Sequence, residues 1–448
     1  RLTARDLGAS PRTILTHDGS DGFPFQWSSL TTEQKQDFRS DPSGTRDTEA
    51  SGMARHAWTR GERSCEFSSG GSCLHEAGGE TFDTKSLRER ASRLGDIVHS
   101  GPVFVGAAES DWPDVPPFPS TVGNTYGEFR DATASRTAVV YVGGNDGMLH
   151  AFAKDSGQEL FAYVPGSLYS DSASEGLHYL SDPAYAHRYS VDLTAAIADV
   201  YAPTRPSATA AWRTILVGGL RAGGRGLFAL DITNPGAISE TAASARNTVM
   251  WEFSSDDDAD FGHSFSRPSI VPMEGPSNTI RWAVVTGNGY NDLGSGEAKL
   301  FILFIEAGLD GTWSSGDYLE ISTGVGDTSN RNGLSSPAVI DSDGDGLADR
   351  AYAGDLYGNM WAFDLSGTNT ARWDDAYKRG RNAQPHYTTP ANHPITTTPA
   401  IIRNSTEPTQ SNNSPNTRVV YGTGPYLTTG ALASTGLQAK YASGDAGD

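Results

Sequence analysis

Ser336-Pro337-Ala338-Val339-Ile340 runs through Asp341-Ser342-Asp343-Gly344-Asp345-Gly346-Leu347-Ala348-Asp349 into Arg350 and then Ala351-Tyr352-Ala353-Gly354. Both flanks have strand composition, one entered through a proline and the other ending on a glycine. The same phrase recurs along the chain. Proline-led strands start at Gly101-Pro102, Arg267-Pro268 and Thr398-Pro399, with Val191 to Val200 as a proline-free counterpart. The closing glycines are Gly143, Gly218, Gly287, Gly354 and Gly422, spaced by 75, 69, 67 and 68 residues. A third apolar strand follows in four units, as at Met148 to Phe152 or Leu300 to Phe304, and a fourth at Glu159 to Val164 and Val249 to Phe253.

Four antiparallel strands per repeat predict an all-β fold, a β-propeller with four-stranded blades. The period exceeds the roughly 40–50 residues of compact blades, so long inter-strand loops are expected. Four units and the start of a fifth are legible. The expectation is seven blades in a longer protein, incomplete here unless residues 1–95 contribute strands. A pair of β-sandwiches is the structural rival, but it does not account for so steady a spacing.

The nine residues from Asp341 carry the chemistry. They match the start of an EF-hand loop: Asp341, Asp343 and Asp345 at positions one, three and five, Gly346 at six, Leu347 at seven with its main-chain carbonyl, and Asp349 at nine. Tyr352 stands where the twelfth-position Glu would be, so Asp349 is expected to close a shortened site. An acidic turn without an ion is the alternative. Four carboxylates this close repel one another without a cation, which favours Ca2+ as the cofactor.

Lys and Arg number 34 against 54 Asp and Glu, a net charge of −20. That balance excludes the basic stripe that nucleic acid requires and simple electrostatic docking on anionic lipid. No apolar stretch has the length of a transmembrane segment. Cys65 and Cys73 are the only cysteines. In an exported protein their spacing closes a small loop as a disulfide; two unrelated thiols are the alternative.

Residues 1–95 read as a leader of short helices and loops packed on the propeller, which occupies 96–448. Thr31 to Phe38, Ser51 to Arg60 and Thr84 to Ser92 have helical composition. Glu407 to Asn416 reads as a solvated loop. Arg1 in place of an initiator Met suggests a piece of a longer protein.

Several stretches carry a family likeness. Leu94 to Pro102, Tyr141-Val142-Gly143-Gly144-Asn145-Asp146-Gly147-Met148-Leu149-His150-Ala151-Phe152, Gly223 to Asp231, Ser264 to Pro268, Gly287 to Tyr290 and the Asp341 loop with Tyr352 to Trp361 resemble, in order, the C-terminal propeller of the PilC/PilY family. The resemblance covers roughly residues 55–440 and implies an exported factor, carried through the periplasm to the pilus tip or outer cell surface. Members promote type IV pilus assembly, oppose retraction, and contribute to adhesion and twitching motility. Implied partners are minor or major pilins and a host-cell or abiotic surface. The family's calcium ligands carry over onto Asp341, Asp343, Asp345, Leu347 and Asp349. The von Willebrand A-like module often found in the family's N-terminal half is not in this chain, and no Arg-Gly-Asp tripeptide occurs. Lys440 to Asp448 is expected to lack the family's usual aromatic strand.

Other chemistry weighs less. Gly147 to Phe152 with Asp155 to Leu160 echoes the blade repeat of quinoprotein dehydrogenases, making a quinone enzyme the rival function. The adjacent Cys-Cys pair often found beneath that cofactor is absent, so the expectation is a non-enzyme. A purely structural extracellular adhesin is the other rival. Asp256-Asp257-Asp258-Ala259-Asp260 reads as a solvated acidic turn rather than a second calcium loop, and His99, His150 and His263 as satisfied strand-edge or loop histidines.

Overall fold

The computed structural model describes residues 2–41, 45–70, 72–205, 207–291, 293–390, 393–403, 416–424 and 439–445. Among these, five sheets of three or more strands follow one another along the chain as the blades of a β-propeller. Blade 2 orders Val249–Ser254, Gly226–Asp231, Ser207–Gly219 and Ala196–Thr204; blade 3 orders Ser269–Gly275, Thr279–Gly287, Glu297–Phe304 and Tyr318–Gly326. In blade 4, Ala338–Ile340, Arg350–Gly354, Asn359–Asp364 and Asp374–Asp375 lie side by side, with Tyr387–Thr388 also on the third strand. Blade 5 holds Ala400–Arg403, Thr417–Gly422 and Lys440–Asp445.

The period-2 alternation of a strand explains how these sheets stack. On the second strand of blade 2, Leu216 packs toward blade 1 with Tyr163 and Phe161, while Ile215 and Val217 pack toward blade 3 with Trp282 and Phe301. On the second strand of blade 4, Ala351 and Ala353 meet Leu300 and Ile302 of blade 3, whereas Tyr352 turns to Val419 and Tyr421 of blade 5. Both faces are buried along Ile215–Val217 and Ala351–Ala353, so these stretches are apolar without interruption. Three of the recurring glycines, Gly143, Gly287 and Gly354, sit where the chain running to the next blade crosses the strand end. A Cβ on Gly143 would strike the Val191 carbonyl, and one on Gly287 those of Leu334 and Ser335.

Blade 1 departs from the leader-plus-propeller division. Its sheet runs Gly22–Pro24, Ile14–His17, Glu159–Val164, Leu149–Ala153, Val139–Gly143 and Val103–Val105, so residues before 95 add two strands. Ile14–His17 joins Glu159–Val164 in parallel, with Leu15 opposite Tyr163. Of the alternatives the sequence left open, residues 1–95 do contribute strands, and Ile14 and Leu15 are fully buried in the blade they join.

Helices α1 (Thr32–Arg39) and α2 (Glu49–Thr59) form where composition places them, α1 with a capping box between Thr31 and Gln34. Thr84 to Ser92 does not form a helix. Leu87 bridges in parallel to Glu66, and Arg90 is held by Glu66 and by the Trp58 carbonyl, interactions that an isolated helical turn would break. Two further helices escaped the sequence reading, α3 (Tyr126–Thr133) and α4 (Ala242–Thr248). The first strand of blade 2 begins at Ala196 rather than Val191. Lys440–Asp445 does form a strand, against expectation, and Tyr441 stacks on Tyr421 at 5.7 Å. The expected loop at Glu407 to Asn416 lies, apart from Asn416, outside the described residues. No described helix is long and apolar enough to cross a membrane.

Cys65 and Cys73 are joined by a disulfide with Cα atoms 4.8 Å apart. Both are buried beside Trp58 and Leu87, fastening the loop after α2 to a core that the leader shares with Met148, Ala162 and Val164 of blade 1.

Candidate metal centre in blade 4

The loop leaves the sheet at Ile340 and re-enters at Arg350, where the two residues pair across antiparallel strands. Asp349 N–H returns to the Ile340 carbonyl at 3.0 Å, closing the base of the loop. Within it the chain turns twice through the left-handed region, at Gly344 with φ 90° and Gly346 with φ 92°. L side chains resist that conformation, which is why glycine occupies both positions. A Cβ at Gly346 would also press on the Phe118 ring at 3.1 Å. Leu347 is buried in the core that includes Phe118, so its side chain anchors the far side of the loop. Ala348 N–H donates to the Pro272 carbonyl at 2.8 Å, tying the loop to blade 3.

The turns gather the acids. One carboxylate oxygen from each of Asp341, Asp343 and Asp345 lies within 4.8 Å of the other two. Asp341 accepts the N–H of Gly344 at 2.6 Å through one oxygen and that of Gly346 at 2.8 Å through the other. Asp343 accepts from Asp345 N–H at 3.2 Å, and Asp345 from Leu347 N–H at 2.8 Å. Asp349 stands apart from this triad. Its carboxylate accepts the N–H of Ser342 at 2.9 Å and the Ser342 hydroxyl at 2.8 Å.

The electrostatics record the crowding. Burial, with Asp343 and Asp341 nearby, pushes the Asp345 carboxyl above the usual range. Burial and the same two neighbours push Asp349 up to about 6. Such a loop stores repulsion that a divalent cation would relieve. The donor set is all oxygen, clustered and close to solvent, which suits a hard cation such as calcium or magnesium rather than zinc. Tyr352, at position twelve, is a fully buried strand residue whose hydroxyl bonds Thr417 at 3.0 Å. The spacing pattern found the acids; it offered no sign of Ser342 or Phe118 as supports.

The other acidic run behaves differently. Asp258 and Asp260 gather with Glu320, but the Lys299 ammonium lies 2.5 Å from Asp260 and 2.8 Å from Glu320, and Asp258 takes the Tyr318 hydroxyl. A lysine already supplies the positive charge there. His150 is neither at a strand edge nor in a loop. It is fully buried in a central strand between Asp146 at 3.0 Å and Glu159 at 2.8 Å, and these partners raise its pKa to about 9 against the cost of burial. Glu159 also binds Arg12 of the leader at 2.7 Å.

The PilY1 beta-propeller domain family matches residues 94–445. The type IV pilus biogenesis factor PilY1 of Pseudomonas aeruginosa strain PAK is 35% identical over 94% of this chain. A PilY1 homolog from Xylella fastidiosa is 39% identical over 67% of it. The chain spans about a third of the length of the first of these relatives and less of the second. The crystal structure of the P. aeruginosa PilY1 C-terminal domain aligns with a TM-score of 0.56 and 32% identity, covering 76% of this chain and 63% of that one. Matched by the family model over residues 94–445 and 35% identical to a PilY1 over 94% of its length, the chain belongs to the family of PilY1 β-propeller domains.

Proposed function

We propose that this domain is a calcium-binding, non-enzymatic module of a type IV pilus biogenesis factor that promotes pilus assembly, opposes retraction and contributes to adhesion and twitching motility. The observation that carries the calcium reading is the convergence of Asp341, Asp343 and Asp345 on one point between two strands of one blade. The pilus reading draws on the relatives, which are named as pilus biogenesis factors. The ion would be held by those three carboxylates, the Leu347 carbonyl and Asp349. It would supply positive charge to a loop that otherwise carries unrelieved repulsion. No EF-hand helix pair flanks the loop, so the ion acts as a staple between strands, with local control over the surface around it. The partners in this reading are minor or major pilins at an extracellular pilus tip, and a host-cell or abiotic surface.

The test is Asp343→Ala in the full-length protein, with melting temperature, pilin binding and pilus number measured with and without calcium. Loss of pilin binding without a change in melting temperature assigns calcium a regulatory role. Loss of calcium-dependent stabilisation with binding retained assigns a structural one. Binding, stability and piliation all indifferent to calcium would refute the reading.

A further inference from the structure

Strands Val103–Val105 and Val139–Gly143 of blade 1 pair side by side, yet residues 106–138 separate them in sequence. This insertion, which carries α3, lies as a strap against the neighbouring blades. On blade 2, the Tyr126 hydroxyl donates to the Asp199 carboxylate at 2.6 Å, and the Tyr126 ring meets that of Trp212 at 4.9 Å. The Trp112 indole donates to the Asp199 carbonyl at 3.0 Å and stands edge-on to Trp282 of blade 3 at 5.1 Å. The strap also reaches blade 4. Phe118 stacks on Trp112, with ring centres 5.4 Å apart, and a Cβ at Gly346 would lie 3.1 Å from the Phe118 ring.

The tip of the strap hangs on one side chain. Its base is fixed at both ends: Asp114 accepts the N–H of Tyr126 at 2.7 Å, and the Asn124 carbonyl accepts the Trp212 indole at 3.0 Å. Between these two points Phe118 is the only buried residue, while Val115 and Val122 are 58% and 87% exposed. Removing the seat of Phe118 would release residues 115–123 and leave the base pinned.

That seat is the acidic loop. Gly346 forms it, and Leu347 is buried in the same core as Phe118. In the calcium reading, on which this inference rests, Asp345 and the Leu347 carbonyl are ligands, so Gly346 lies between two of them. Without a cation, carboxylate repulsion acts on the same stretch of backbone. We propose that calcium binding in the blade-4 loop orders the tip of the blade-1 strap, residues 115–123, through the seating of Phe118 on Gly346. Occupancy of the loop is then expressed on a surface contributed by a blade three positions earlier, beyond the two strands that the loop joins.

The test is hydrogen exchange read by mass spectrometry, with calcium and with chelator, on the whole chain. In the parent, calcium is expected to slow exchange within 115–123 about tenfold and to leave α4 unchanged. Coupling is reciprocal, so Phe118→Ala is expected to weaken calcium binding, measured by calorimetry, by the same factor. Phe118→Leu, which keeps an apolar plug, should weaken it less. Calcium bound by the parent with no slower exchange at 115–123 overturns the inference and leaves the calcium reading standing. A parent that binds no calcium overturns both. Equal slowing at the tip and at α4 assigns the effect to general stabilisation and also overturns it. So does unchanged calcium affinity in a folded Phe118→Ala protein; if that variant does not fold, exchange in the parent decides.

Discussion

Asp349 holds Ser342 by both the backbone N–H and the hydroxyl, at 2.9 and 2.8 Å, so the last acid of the loop clasps the second residue rather than joining the triad. In the proposed calcium site, the clasp and the ion would compete for one carboxylate. Ser342→Ala removes the hydroxyl bond and should destabilise the calcium-free protein by about 1 kcal/mol. It should also free Asp349, so the rise in melting temperature on adding calcium becomes larger than in the parent. Differential scanning calorimetry with chelator and with calcium reads both changes.

Neutralising a ligand should separate repulsion from binding. Asp341→Asn is expected to leave the calcium-free protein at least as stable as the parent, because one like charge leaves a crowded loop. The stabilisation by calcium, about 2.7 kcal/mol at a hundredfold excess over the dissociation constant, should largely disappear. A variant that binds calcium undiminished would remove Asp341 from the ligand set.

The buried ion network of blade 1 predicts a pH dependence. His150 has its pKa raised to about 9 by Asp146 and Glu159, with Arg12 on the other side of Glu159 and Phe152 stacked on the ring. A histidine whose folded pKa lies above its unfolded value contributes stability that is complete below about pH 6.5 and lost as pH rises through about 9. Urea denaturation across this window should show a decline of a few kcal/mol attributable to this site. His150→Gln should be less stable at pH 6 and should flatten the slope. A parent protein with constant stability from pH 6.5 to 9.5 would contradict the assignment.

The Cys65–Cys73 bond closes a short loop whose cysteines lie among Trp58 and Leu87. Replacing both by Ser should lower stability by roughly 2–3 kcal/mol, the range expected for so small a loop. Thermal unfolding of the double variant, with and without reductant, gives the value; reductant should affect only the parent.

Much of the propeller was legible because both faces of its strands are buried, giving apolar runs that repeat with the blades. The glycines were legible for a steric reason, since Gly143 and Gly287 leave room for the backbone that crosses them. Ile14–His17 was not legible as a blade strand. Four residues carry little periodicity, and the partner strand lies far along the chain. Thr84 to Ser92 misled because helical composition there yields to contacts of Leu87 and Arg90. At α3 the signal was present and overlooked: Thr125 and Glu128 form a capping box. The candidate centre was legible in its acids, whose spacing encodes convergence. Ser342 was not, because it occupies a position that the ligand pattern leaves unspecified.

The parallel pairing of Ile14–His17 with Glu159–Val164 has a mechanical consequence. The two strands run in the same direction through three rungs, Ile14 with Ala162, Leu15 with Tyr163 and Thr16 with Val164. A pull applied from the Leu2 side, with the later blades held, draws these strands past each other lengthwise. The rungs then bear load together in shear instead of parting one after another. The Arg12–Glu159 ion pair lies beside the same rungs and resists the same displacement. Tension entering through the first residues is thus passed to the sheet as a whole before any single strand can peel away.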